Sequence, residues 1–526
     1  MKKLLCVMMG ILLLVLMFDL AVAAVRGPIG VSAGKVVIGV PSLAAESPNP
    51  YSFTGRTDMN YLDLIYNRLA WVGLDGSPDP KWGVASSWQM GADGQSYIFK
   101  IHQGIKFHNG DSLTAEDVKF SIEKLVAPET KAGNSPWYRN IVASVDVLDT
   151  YTARVNMKSA RPLFITADLI DRGLWIVPKR YFEKVGDAEF KQHPVGSGPY
   201  KLVSQAKGEY MEFEAFDGYW RGTPYVKTVR LEIIPEDATR LAKLKTGEID
   251  IMTTVPPQMK SEIEAKKGLR TVSVQGTCSN EVNLNKYWKA ADTWGAPLMK
   301  TDVRLALNCA IDREGIAKSL YQGEAKPAVT LVDRTAYGAN LTLKPYPYDP
   351  KKARELLAKA GYPNGFKYKI FTAPSTTMPG SIEMAQILQS MWADIGVQVS
   401  VVQMDFGTAT KKAGAGELDG GLVIANACGA DAWSRIYAFS VSTSVNGGCP
   451  PDPAWEAQLK DASVTLDPAQ REEKIKQLDK LQYDNALHIP LLTGNTIYGV
   501  GARVGDWSQA SGNPLLRNVE LLKLKD

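Results

Sequence analysis

Histidine and cysteine are scarce in this chain. The four histidines are dispersed, at positions 102, 108, 193 and 488, and the five cysteines stand at 6, 278, 309, 428 and 449. The close Cys/His spacing of a zinc site is absent. So are H-E-x-x-H, G-x-S-x-G, the P-loop and the glycine fingerprint of dinucleotide-binding folds, which leaves a catalytic reading without a motif. Charge of one sign is not in excess. The net charge is +4 over 526 residues and no basic run concentrates it, which argues against a nucleic-acid role. Beyond the N-terminus no stretch is long and apolar enough to span a bilayer. Glycine and proline are scattered, so no long disordered linker is implied.

The N-terminus holds the one long apolar run. Met1-Lys2-Lys3 is basic, Leu4 to Phe18 is apolar apart from Gly10, and Ala21-Val22-Ala23 has the small-x-small pattern of a cleavage site. This predicts a secretory signal peptide over residues 1–23, cut between Ala23 and Ala24. The rival, a membrane anchor, is opposed by the shortness of the run and by Asp19. Cys6 has no lipobox after it, so a lipid anchor is not expected. Four cysteines then remain, and four allow three pairings. Cys428 and Cys449 flank a loop-like segment and are the best candidate pair; a bridge there would contribute roughly 3 kcal/mol by restricting the unfolded loop. Free thiols are the alternative. Cys309 reads as a buried thiol within a helix.

The length exceeds one core, so several lobes are expected. Hydrophobic content of 45% and charged content of 22% are ordinary for a globular protein. Strand-like and helix-like segments are mixed, which predicts an α/β fold. The stretch from Tyr97 to Leu125 organises the rest. Tyr97, Phe99 and Ile101 alternate with Ile98, Lys100 and His102 as in a half-buried strand. Gln103-Gly104 and Asn109-Gly110 turn the chain. Thr114 reads as a helix N-cap with Asp117 as capping-box partner and Leu113 and Val118 as staple. Asp237, Thr301 and Asp349 are further cap candidates. Lys35 to Val40, Val142 to Met157 and Val397 to Val402 read as strands. Ser197, between Gly196 and Gly198, belongs to a tight turn, because it does not fit the nucleophile-elbow spacing.

The run DGxSYxFKIxxGIKFHNGDxLTAEDVKFS resembles the signature of the family 5 extracellular solute-binding proteins, the peptide, nickel and opine receptors of ABC importers. HPVGSGPY from His193, LKTGEID from Leu244, DVRLALNCAIDR from Asp302 and YDPKKARELLAKAGY from Tyr348 are similar to later family segments. The resemblance covers nearly the whole mature chain. It implies a two-lobed periplasmic-binding-protein fold. Lobe I would comprise 24–58, 185–273 and 492–526, with an extra subdomain at 59–184; lobe II would be 274–491. The crossings near Val272–Gln275 and Ile489–Leu492 would form the hinge. The resemblance also implies an exported, periplasmic monomer without cofactor or metal. Its partners would be a small-molecule or peptide ligand, enclosed between the lobes, and a membrane permease. His108 lies in the signature and reads as a turn residue.

In peptide-binding members a strand leads to an acid that pairs with the ligand's amino group. Cys-Gly-Ala-Asp resembles that place and makes Asp431 the candidate, although the tryptophan usual before it is replaced near Ala427. Asp431 could equally cap a helix starting at Ala432. Trp433 and Tyr437, one turn apart, could line the cleft or simply pack. Arg435 is either a bidentate partner for a ligand carboxylate or an exposed surface arginine. Tyr287, Trp288 and Trp294 cluster in a loop and could wall the cleft or cover a lobe edge. A non-peptide solute on the same scaffold, and more remotely a secreted hydrolase, are the alternative functions.

Overall fold

The computed structural model describes residues 34–276, 279–372, 380–425, 431–444, 448–505, 507 and 516–525. The expected signal peptide and its cleavage site lie outside these residues, as does Cys428, and with it the expected Cys428–Cys449 pairing. No helix among the described residues is long and apolar enough to cross a membrane.

Two large sheets divide the chain. The first has seven strands in the order Arg270–Val274, Thr496–Val500, Ile251–Met252, Lys35–Val40, Thr228–Ile233, Tyr210–Ala215 and Tyr200–Ala206. Lys35–Val40 pairs in parallel with both its neighbours. Parallel strands are covered on both faces and need an unbroken apolar run, which is what VVIGV supplies. A four-stranded antiparallel sheet, ordered Ala85–Met90, Ser96–Ile101, Thr152–Met157 and Val142–Asp149, shares one hydrophobic core with it. These two sheets make the first lobe. The second lobe is built on a six-stranded sheet, ordered Ala325–Pro327, Ile489–Gly494, Ser279–Asn283, Gly421–Ala425, Lys367–Thr372 and Gln398–Gln403. It has a separate core around Ile370, Leu388 and Trp392.

The signature stretch folds as its local chemistry dictates. Tyr97, Phe99 and Ile101 are buried on one face of Ser96–Ile101. The Thr114 amide donates to Asp117 Oδ2 at 2.8 Å, closing the capping box of the Ala115–Val126 helix. Leu113 and Val118 are fully buried beside it. His108 then ties this unit to the second motif. Its backbone N–H donates to the Gly196 carbonyl at 2.8 Å, its Nδ1 accepts from the Gly196 amide at 3.3 Å, and its Nε2 meets the Gly198 carbonyl at 3.0 Å. One ring nitrogen accepts and the other donates, so the ring is the neutral Nε2–H tautomer. Burial holds its pKa down, to about 4. The turn residue is thus a clamp between two distant segments.

Three expectations are corrected. Glu236, not Asp237, is the N-cap of the Asp237–Thr246 helix, because the Asp237 carboxylate pairs with the buried Arg240 guanidinium. Lys300, not Thr301, caps the next such helix, because the Thr301 hydroxyl accepts from Arg304 Nη2 at 3.1 Å. The third concerns the hinge. The first crossing falls between Val274 and Ser279, close to where it is expected. The second does not lie at 489–492. Ile489–Gly494 is an inner strand of the six-stranded sheet, with Ile489, Leu491 and Leu492 fully buried, and the chain crosses at Asn495. Pro490 sits opposite Glu281, where the pairing with Ser279–Asn283 shifts register, and its carbonyl takes the Arg313 Nε–H at 2.8 Å. The two crossings touch: a Cβ on Gly276 would collide with the Gly494 carbonyl.

Candidate functional site

The helix Ala432–Ser440 of the second lobe faces the first. It starts where it does because Asp431 caps it, with Oδ1 accepting from the Ser434 amide at 2.8 Å. Trp433 is buried, donates Nε1–H to the Leu459 carbonyl at 2.8 Å and stacks on Tyr437 at 5.0 Å. From the first lobe the Arg161 guanidinium lies 4.9 Å from the Trp433 ring and 5.2 Å from that of Trp137. It is held by Asp168 through two hydrogen bonds of 2.9 Å, and Trp137 Nε1 donates to the same carboxylate at 2.8 Å. Trp137 also meets Tyr437 edge-on at 6.0 Å. Leu163 and Ala167 of the first lobe join Trp433 and Ile436 in one apolar cluster. The lobes therefore touch through a belt of aromatic rings and a clamped cation.

Beside this belt is a cavity of about 240 Å3 with walls from both lobes. The first lobe contributes Arg56, Asn134, Asp171 and Arg172; the second contributes Ser434, Arg435 and Phe439. Arg56 pairs with Asp171. Arg172 lies 3.7 Å from the centre of the Trp137 ring, and its Nε is buried without a partner. Asn134 donates its amide to the Arg172 and Gly173 carbonyls at 3.1 and 2.9 Å, which leaves its buried Oδ1 unpartnered. Arg435 is 6% exposed, and its Nε is also buried without a partner. Burial lowers the Arg435 pKa to about 10; Asp171 and Asp431 oppose the shift, while Arg56 and Arg172 add to it.

The expected site residues separate into two groups. Asp431 caps the helix as one reading proposed, and is fully buried with Oδ2 unpartnered, but it does not line the cavity. Arg435 lines the cavity and is not an exposed surface arginine. Trp433 and Tyr437 form the belt beside it. Tyr287 is buried in the second lobe's core and Trp288 and Trp294 pack against that core, so none of the three reaches the cavity. The lobe I residues Arg56, Asn134, Asp171 and Arg172 were not anticipated. The one signal in the sequence was a charged Asp171-Arg172 pair set between two apolar runs.

Asp431 gives a prediction. Burial, with Asp171 and Asp168 adding, raises its carboxyl to about 6 against the pull of the Ser434 amide. An unfolded aspartate titrates near ~3.9. Between about pH 4 and pH 6 the native state therefore binds more protons, so this group's contribution to stability falls as pH rises through that window and stays lost above it. Asparagine keeps the cap and does not titrate. Asp431→Asn is expected to match the parent near pH 4 and to exceed it by about 2–3 kcal/mol at pH 7, measured by urea unfolding. A difference that is the same at both pH values would contradict the buried-charge account.

The model of the bacterial extracellular solute-binding proteins, family 5, matches residues 79–447. The chain belongs to that family. Among curated relatives, heme-binding protein A of Haemophilus influenzae is 30% identical over 380 residues, 68% of each chain. The glutathione-binding protein GsiB of Escherichia coli is 28% identical over 472 residues, 88% of this chain and 89% of that one. Among solved structures, the periplasmic binding protein DppA of Helicobacter pylori in complex with the peptide STSA superposes with a TM-score of 0.78 at 27% identity, covering 94% of this chain and 98% of that one. The α/β fold is that of two-lobed periplasmic binding proteins, and this family 5 protein is a solute receptor of the ABC-importer type.

Proposed function

We propose that this family 5 protein is exported, trimmed at Ala23, and captures a peptide or peptide-like solute in the cavity beside Arg435. It then delivers that solute, chemically unchanged, to its membrane permease. One observation carries the reading: the cavity takes its polar walls from both lobes, so a solute held there contacts both at once and favours the closed arrangement over any open one. The relatives point the same way, since peptide and glutathione are named among their ligands. The belt of Trp137, Trp433 and Tyr437 excludes water beside the site, which strengthens each polar contact inside. The protein acts as a single chain, with the ligand and the permease as its partners and without a cofactor.

The test is a thermal-shift screen of the mature protein. A ligand at a hundred times its dissociation constant stabilises the native state by about 2.7 kcal/mol. Peptides of two or three residues are expected to raise the melting temperature. If opines, oligosaccharides or nickel complexes raise it and short peptides do not, the receptor stands and its peptide cargo does not.

A further inference from the structure

We propose that His488 is a positioning residue for solute capture: as an imidazolium held by Glu281, it fixes the C-terminal end of the Ala432–Ser440 helix and so keeps the second lobe's wall of the cavity in place. The proposal rests on the receptor reading above and names what holds that site in shape.

The helix gives the cavity Ser434, Arg435, Ala438 and Phe439. Its first turn is fixed by the Asp431 cap. Its last residue, Ser440, is buried behind the cavity wall, and the Ser440 hydroxyl lies 3.0 Å from His488 Nε2. The Ser440 carbonyl also accepts from Trp455 Nε1 at 3.2 Å. On the other side of the ring, His488 Nδ1 lies 3.5 Å from Glu281 Oε2, on the inner strand Ser279–Asn283. Glu281 is fully buried, and among the described residues its one ion pair is with His488. Asn283 Nδ2 donates weakly to Glu281 Oε1 at 3.4 Å, while Oε2 accepts no hydrogen bond. A buried carboxylate without a cation is costly, so the pair keeps the ring charged. An imidazolium carries an N–H at each nitrogen. One faces the carboxylate and the other donates to the Ser440 hydroxyl. The carbonyls at a helix C-terminus favour a cation there as well.

The tie depends on one proton. A neutral ring has a single N–H for two acceptors, so either Glu281 or Ser440 loses its donor. Burial opposes the charge on His488, but the Cys449 thiol and Glu281 outweigh it and lift the pKa to about 9. Arg304 and Arg313, from neighbouring helices, are turned to the Ala486 and Pro490 carbonyls. An unfolded histidine titrates near ~6.5. The tie is therefore complete below that pH and is lost as pH rises through about 9.

The experiment is hydrogen exchange read by mass spectrometry on the mature protein without added solute, between pH 7 and pH 9.5. Protection of the Ala432–Ser440 amides is compared with that of the Ala115–Val126 helix in the first lobe. Asp431 titrates below this range, at about 6, and Arg435 above it, at about 10, in parent and variants alike. Across the range the parent helix should lose about tenfold or more in protection, the scale of a hydrogen bond to a charged group. Ser440→Ala cuts the tie and leaves the ion pair, so it should show the low protection already at pH 7 and no further loss. His488→Gln should do the same, and adding Glu281→Gln should restore part of the protection by removing the uncompensated charge. The Ser440 variant serves if His488→Gln fails to fold. Titration with alanyl-alanine reads the consequence for capture. At pH 7 the parent should bind it about tenfold more tightly than Ser440→Ala does, and the gap should close by pH 9.5. Protection of the helix that is unchanged by pH, or unchanged by Ser440→Ala, overturns the proposal, as does equal affinity of the two forms for alanyl-alanine at pH 7. If alanyl-alanine binds neither form, the peptide reading fails, and the exchange result alone decides the role of His488.

Discussion

Asp168→Ala is expected to destabilise the protein by about 3–5 kcal/mol, the range for removing one partner of a buried ion pair. Asp168 is fully buried and accepts from Arg161 Nε and Nη2 and from Trp137 Nε1, all within 2.9 Å. Alanine leaves the buried Arg161 guanidinium with the Trp137 and Trp433 rings and the more distant charge of Asp431, and without its hydrogen-bonded carboxylate. A ring face attracts a cation far less strongly than a bidentate carboxylate does. The indole N–H of Trp137 is orphaned at the same time, and Trp137 is the platform under Arg172. The change should therefore weaken solute binding as well as folding. Replacing both partners with apolar residues, as in Asp168→Leu with Arg161→Met, should recover much of the loss, because no uncompensated charge remains. Urea unfolding of the single and double variants checks this. A single variant within about 1 kcal/mol of the parent would mean that the pair contributes no more than a surface one.

Gly196→Ala is expected to cost about 3–5 kcal/mol. A Cβ at this position would stand 2.0 Å from the Ile65 carbonyl oxygen and 2.7 Å from the Tyr66 ring. The first obstacle is backbone, so no rotamer change relieves it. Either the end of the Met59–Ile65 helix moves, or the turn does. If the turn moves, the His108 bonds to Gly196 and Gly198 go with it, each worth about 1 kcal/mol. Gly104→Ala is the control. A Cβ there meets nothing, and only the left-handed backbone, φ 85°, opposes it, for about 1–2 kcal/mol. Equal losses in the two variants would show that close approach is not what the G-S-G turn provides.

The elements that depend on neighbours in sequence were the legible ones. The Thr114–Asp117 box, the Asp349 cap and the alternation of Tyr97, Phe99 and Ile101 follow from spacing within a few residues. Gly196 and Gly198 were recognisable as a turn, but their contact with Ile65 was not, since it joins segments far apart in the chain. Caps failed where a buried arginine competed for the side chain, at Asp237 and Thr301. The second hinge crossing was misplaced because His488-Ile-Pro-Leu-Leu reads the same whether it ends a strand or forms the middle of one.

The site was half legible. Asp431 and Arg435 lie one helical turn apart, and the sequence could not say which of them faces the opposite lobe. The cap occupies Asp431 Oδ1 and leaves Arg435 at the cavity. The aromatic cluster at Tyr287, Trp288 and Trp294 illustrates the converse difficulty, because the same side chains serve a cleft wall or a core equally well. Arg172 and Asn134 could be placed opposite Arg435 only once both lobes were folded.

Small-angle X-ray scattering before and after removal of any co-purified solute tests lobe closure most directly. With a binding solute restored, the radius of gyration should fall to that of the two lobes in contact through Trp137, Trp433 and Tyr437, and it should rise when the solute is dialysed away. Identical scattering with and without a solute bound at the cavity would contradict capture by closure.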